Sequence, residues 1–396
     1  MDHYSPAAAW KGVDWKRLTN LNIQRLQSLM KKDGIDALFL HHWDNFQYAT
    51  GYLNPAHFYS KGSPLRQGAL VLANREQPVM LIGAPDFYDA KNFYWIEDVR
   101  SMPARFERWP EIIKAALGDY GLNRGKIAVD PHSLFTLIDE LKRELGKGWA
   151  FVSAGALVAK ARSVKNPEEI KVIRQSAAIA TAMVVAAKNA VRAGVREVDV
   201  AVAAEAEMAR LDPLAHVAFK TVVMSGERGA SLDRIPSYKV IGNGEMVNID
   251  AGCYHMGYLS EFGREVMVGR PTAEQKKLYR AAWGAEQAAV KAVLPGAKAS
   301  EIDRIARAVI AEAGYEKFQH PHYTGHGHGL LGHDLPIIGD PGQVAEVIIE
   351  PGMVVALEPG IFKPGVGGVR EEDVVLVTET GQEILSLVEY ENKLLD

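Results

Sequence analysis

The chain has 396 residues, 47% of them hydrophobic, and a formal net charge of −4 with both signs interspersed. That length exceeds what one core usually serves, so two domains are expected, and the absence of a Lys/Arg block argues against nucleic acid or an anionic membrane as partner and for small neutral or charged solutes. A single cysteine, Cys253, excludes an intrachain disulfide and a cysteine-based zinc site. The opening residues lack a basic stretch followed by an apolar one, no later run reads as a membrane span, and the expected address is the cytoplasm.

Residues 1–158 alternate helical and strand patterns. A helix is expected through Leu21 to Lys32, with strands at Ala37 to Leu40, Gly68 to Leu72, Val79 to Ile82 and Ile127 to Val129, which is an α/β layout. The character changes over 159–396, taken as a second domain. Asn166-Pro167-Glu168-Glu169 reads as an N-cap, a proline at the first helical position and a glutamate reaching back to the cap. The helix it opens carries Ile170, Ile173, Ala177, Val184 and Val191 on one face, and Gly194 is placed to end it. Ala190 to Gly194 followed by Glu197-Val198-Asp199 is echoed by Ala292 to Gly296 followed by Glu301-Ile302-Asp303. The echo suggests two duplicated halves around a central cleft.

Candidate chemistry is concentrated in these halves. Met246 to Asp250 reads as a strand that, after a turn between Gly252 and Gly257, returns over Leu259 to Val268, so that Asp250 and Glu261 face each other. Five histidines, His320, His322, His326, His328 and His333, lie in a glycine-rich tract between Gln319 and Asp334. Imidazole and carboxylate together suit Zn, Mn, Fe or Co. Strands at Met353 to Glu358 and Val369 to Val377 add Glu358 and Glu372, carboxylates that are costly to bury without a cation.

In order along the chain, Asn248-Ile249-Asp250-Ala251-Gly252, Gly257-Tyr258-Leu259-Ser260-Glu261, His322 to Gly327, His333-Asp334-Leu335-Pro336, Leu357-Glu358-Pro359-Gly360 and Gly368 to Asp373 resemble the motifs of the M24 "pita-bread" metallopeptidase family. Asp44 to Tyr52 resembles the N-terminal domain of its creatinase and prolidase branch. The resemblance implies a creatinase-like α/β domain followed by an α+β pita-bread domain of two pseudo-symmetric halves. It further implies that Asp250, Glu261, His326, Glu358 and Glu372 hold two divalent ions, manganese first and cobalt, zinc or iron as alternatives, that activate a water.

The same resemblance gives Glu358, His322 and His333 catalytic work, the histidines at the substrate carbonyl and in proton transfer. Arg66 resembles an arginine that reaches a substrate carboxylate across a homodimer, and Arg370 falls among the substrate-side residues. Trp43, Phe46, Tyr52 and Phe58 fit either an exposed place at that dimer contact or the local core. His320 and His328 match no motif and are read as loop residues. The chain departs from the family pattern at Glu261, where Asp is usual, at Gly263 and Glu265, where Thr is usual, and at Asp233, where peptidases carry His. Asp233 and Glu265 thereby become candidate contacts to a cationic substrate. The expected activity is hydrolysis of a C–N bond, Xaa-Pro in a short peptide. The alternatives are a non-peptidase reaction of the creatinase or DMSP-lyase kind on a small zwitterion, and a catalytically silent binding domain.

Overall fold

The computed structural model describes residues 12–53, 66–231 and 235–396. They form two compact units, one running to Arg162 and including Asn166–Glu169, the other comprising Ser163–Lys165 and Ile170–Asp396.

The first unit is built on a six-stranded mixed sheet of β1 (Ala37–Leu40), β2 (Gln67–Leu72), β3 (Val79–Gly83), β4 (Val99–Met102), β5 (Gly125–Val129) and β6 (Trp149–Ser153), in the order β4-β3-β2-β1-β5-β6. β1, β2 and β3 are buried along their whole length, which is why, apart from Gln67 at the start of β2, they read as apolar runs rather than as alternating ones. Helix α1 (Trp15–Asp33) is capped by the Asp14 side chain and stopped by Gly34. The Asp44 to Tyr52 segment forms helix α2 (Trp43–Thr50), whose Asp44 is buried in an ion pair with Arg162. Of the two places open to them, Phe46 and Tyr52 take the local core: they are 0% and 5% exposed and pack edge to face inside the unit. Phe58 lies outside the described residues.

Helix α3 (Pro167–Ala190) belongs to the second unit from Ile170 onward and starts on the expected cap: Asn166 Oδ1 accepts from the Glu168 and Glu169 amides, and Glu169 Oε2 accepts from the Asn166 amide. Contrary to the sequence reading, this helix is long and apolar enough to cross a membrane by composition. Half of its most apolar window is buried in the protein, as expected of a core helix. Helices α4 (Glu197–Leu211), α5 (Ala273–Ala292) and α6 (Ala299–Glu312) follow, with strands β7 (His216–Val217), β8 (Val222–Ser225), β9 (Met246–His255) and β10 (Tyr258–Met267) in one sheet. A second sheet orders β12 (Asp334–Ile338), β11 (Gly325–Gly327), β13 (Val354–Leu357), β16 (Asp373–Val377) and β17 (Gln382–Ile384), and β14 (Gly360–Lys363) pairs with β15 (Gly367–Arg370).

The sequence echo is matched rung for rung. Gly194 donates to Ile241 O, Ile241 to Val195 O, and Arg196 bridges Val240; likewise Gly296 donates to Ile349 O, Ile349 to Ala297 O, and Lys298 bridges Ile348. A second pair of rungs repeats: Gly244 with Val268 and Val268 with Glu245 correspond to Gly352 with Val377 and Val377 with Met353. Two halves with one backbone plan therefore build this unit.

Candidate metal centre

The β9–β10 hairpin turns at Met256–Gly257, both with positive φ, rather than from Gly252 onward. In the resulting register Glu261 lies opposite Gly252 and Gly263 opposite Asp250. Asp250 and Glu261 are thus diagonal neighbours on one face rather than directly opposed. Gly252 makes the approach feasible, because a Cβ there would stand 2.3 Å from Glu261 Cβ.

From the second half, β11 brings His326 between β12 and β13, and Glu358 follows β13, its amide donating to Thr324 O. The expected continuous strand through Glu372 is broken: β15 ends at Arg370 and β16 starts at Asp373 in another sheet. Glu371 and Glu372 occupy the joint, where the Glu372 amide donates to Gly263 O and buried Arg264 holds Glu372 O and the Asp373 carboxylate.

These elements bring the five expected ligands into one buried cluster. His326 Nε2 is 3.4 Å from Glu261 Oε1 and 3.8 Å from Glu358 Oε1. Arg370, 3% exposed, binds the Asp250 carboxylate, donates to Glu358 Oε2 at 2.5 Å and stands 3.7 Å from Glu372 Oε2. One guanidinium among four carboxylates leaves negative charge in excess. Asp250 Oδ1 and both Glu372 carboxylate oxygens are buried with no hydrogen-bond partner, a condition that a divalent cation relieves. Burial, with the Asp250, Glu358 and Glu261 charges, raises the Glu372 pKa well above the usual carboxylate range, and burial lowers that of His326 to about 4, so the ring is neutral and able to ligate.

Asp250, Glu261, His326, Glu358 and Arg370 border a cavity of about 510 Å³ whose wall includes His322, Tyr323, His333, Phe219 and Ile235. Tyr323 Oη is hydrogen-bonded to His333 Nδ1, and the His322 carbonyl is held by Arg307 at 2.6 Å. Tyr323, inside the His322 to Gly327 motif, stands beside His333 and forms part of the wall.

His320 and His328 lie outside the named strands and helices, as read, but they are not ordinary loop residues: they are 1% and 0% exposed. Burial lowers the His320 pKa to about 3, so its neutral ring accepts from the Gly360 amide at Nδ1 and donates from Nε2 to Thr324, which donates to Asp303. It thereby fixes the turn behind Glu358. Glu261, His326 and His328 form a buried group whose ligand atoms lie within 4.8 Å of one another. Alternation in Gly325-His326-Gly327-His328-Gly329 was the available signal, since residues two apart on a strand share a face. Glu265 does not line the cavity but is fully buried behind it, accepting from Asn248 Nδ2 at 2.7 Å and from the Arg370 amide. Arg264 pairs with Asp373 and Glu371. Arg66 is exposed just ahead of β2, and Asp233 lies outside the described residues.

Residues 22–164 match the creatinase/prolidase N-terminal domain and residues 171–379 match metallopeptidase family M24. The chain is 31% identical over 374 residues to an Xaa-Pro dipeptidase of Pyrococcus horikoshii, covering 94% of this chain and 99% of that one. Among solved structures, the prolidase from Pyrococcus horikoshii superposes with a TM-score of 0.79 at 29% identity, covering 93% of this chain and 99% of that one. The Xaa-Pro dipeptidase from Bacillus anthracis gives 0.81 at 26%, covering 94% and 99%. A creatinase-type α/β domain followed by two duplicated halves around a carboxylate and histidine cluster identifies the chain as a member of the metal-dependent peptidase family M24, of the Xaa-Pro dipeptidase-like kind.

Proposed function

We propose that the chain hydrolyses the Xaa-Pro bond of a dipeptide or similarly short peptide, with Asp250, Glu261, His326, Glu358 and Glu372 holding two divalent ions. The observation that carries this reading is the buried meeting of these five residues, with partnerless carboxylate oxygens on Asp250 and Glu372, beside a cavity that four of them line. Two such ions supply Lewis acidity toward the scissile carbonyl and a water of lowered pKa. Glu358, between His326 and Arg370, accepts and returns the proton of the attacking water. His322 and His333 stand on the cavity wall and donate to the carbonyl oxygen as it gains charge, His333 being oriented by Tyr323. The cavity is of a size for a dipeptide, at the lower part of the range usual for small-ligand sites.

The departures at Asp233, Gly263 and Glu265 motivate the non-peptidase alternative, and of these Asp233 lies outside the described residues. With Glu265 buried against Asn248, it offers no charge to a cationic substrate, which supports the peptidase reading. Arg66, exposed, is proposed to bind the substrate carboxylate from a second copy in a homodimer. Sedimentation of the wild type, and KM for a dipeptide in Arg66→Ala, test that part.

The main test is a panel of Xaa-Pro and non-proline dipeptides given to protein loaded with manganese, cobalt or zinc. Cleavage of Xaa-Pro substrates that disappears on chelation and returns with metal is expected. A fully loaded protein that leaves every peptide intact overturns the proposal. Glu261→Ala is expected to lose turnover by at least roughly the ten- to hundred-fold that follows disturbance of a metal's surroundings.

A further inference from the structure

The proposed reaction has no task for His328, yet this ring is fully buried and neither of its nitrogens has a hydrogen-bond partner. An imidazole in that position wastes two polar atoms unless something binds them. His328 follows β11, its amide continuing the ladder to Val354 O, so its side chain falls on the same face as His326, with ring centroids 5.4 Å apart. Its Nε2 stands 3.8 Å from Glu261 Oε1, the same oxygen that His326 Nε2 approaches at 3.4 Å. Separations of roughly 3.4 Å are what ligand atoms show around a tetrahedral ion with bonds near 2.1 Å. The additional methylene of Glu261, compared with the aspartate usual there, gives its carboxylate reach toward His328.

The geometry points to His328 as a nitrogen ligand that joins Glu261 and His326 around one divalent ion, turning one of the two proposed positions into a two-histidine, one-carboxylate site. The inference rests on the metal-holding part of the proposed function. Its consequence is asymmetry. The position beside His328 favours zinc, cobalt or ferrous iron, whereas the neighbourhood of Asp250, Glu358 and Glu372 offers only oxygen and suits manganese.

X-ray absorption of the wild-type protein loaded with one equivalent of zinc counts the imidazoles around the ion, and equilibrium dialysis gives the affinity. Two imidazoles are expected in the wild type and one in His328→Leu, with the zinc dissociation constant of the variant raised at least roughly tenfold. Circular dichroism of the metal-free variant checks its fold, and His328→Gln serves should the leucine variant misfold. One imidazole in the wild type, or unchanged zinc affinity in a folded variant, overturns the role of His328. If that wild type still binds metal and cleaves dipeptides, the proposed function stands; a wild type that binds no metal removes both.

Discussion

Glu265 shows how one side chain departs from what its neighbours in the sequence suggest. Its departure from the family's usual threonine makes it a candidate to face the cleft, but the β9–β10 register sets it opposite Asn248, and its carboxylate accepts from that amide without lining the cavity. Burial, then the adjacent Glu371, raises its pKa to about 8 against an ordinary 4.5, despite the Asn248 and Arg370 contacts. The folded chain therefore holds a proton that the unfolded chain has released between those pH values. Stability from this group is complete below pH 4.5 and is lost as pH rises through about 8, by at most about 1.4 kcal/mol per pH unit. Glu265→Gln keeps the shape and removes the proton. Urea unfolding of metal-free protein from roughly pH 5 to pH 8 is expected to give a flatter dependence and greater stability at the alkaline end. The histidines carry a related lesson. Ligand-type residues in ordered motifs were legible, whereas the burial of His320 and His328 depended on which strands cover them, information absent from local spacing.

Elements were legible where local chemistry alone decides them. The cap at Asn166 is such a case, and Asn166→Ala is expected to cost about 1 kcal/mol, read as a lowered urea midpoint with unchanged slope. The break between β15 and β16 was not legible, because Val369 to Val377 has the composition of one strand. Long-range bonds make the joint: Gly263 O and Arg264 capture Glu372, and Ser386 and Tyr390 take the Asp373 carboxylate. The hairpin depends on Gly252 in the same nonlocal way. Gly252→Ala would put a Cβ 2.3 Å from Glu261 Cβ and 2.6 Å from Ser260 O. It is expected to destabilise by about 1–3 kcal/mol and to weaken metal binding, measured by melting and by dialysis on the same preparation.

Across the whole molecule, each unit has its own core. One is built around Phe39, Leu70, Leu81 and Trp109, the other around Tyr279, Ile302, Val355 and Val375. All five proposed ligands belong to the second unit. A saturating divalent ion is therefore expected to raise the unfolding temperature of that unit, by about 2.7 kcal/mol of stabilisation at a hundredfold excess over its dissociation constant, and chelation to reverse it. Calorimetry with proteolysis to assign the transitions measures this, and a shift confined to the N-terminal unit would contradict the placement. The duplicated backbone plan carries one more consequence. Asp250 is the sixth residue after Gly244 and Glu358 the sixth after Gly352, so each half delivers its own carboxylate from the same rung of its scaffold. An ion gripped by both would act as a rivet between two copies of one ancestral piece, and amide exchange at Ile249 and Leu357 should slow in step when manganese is added.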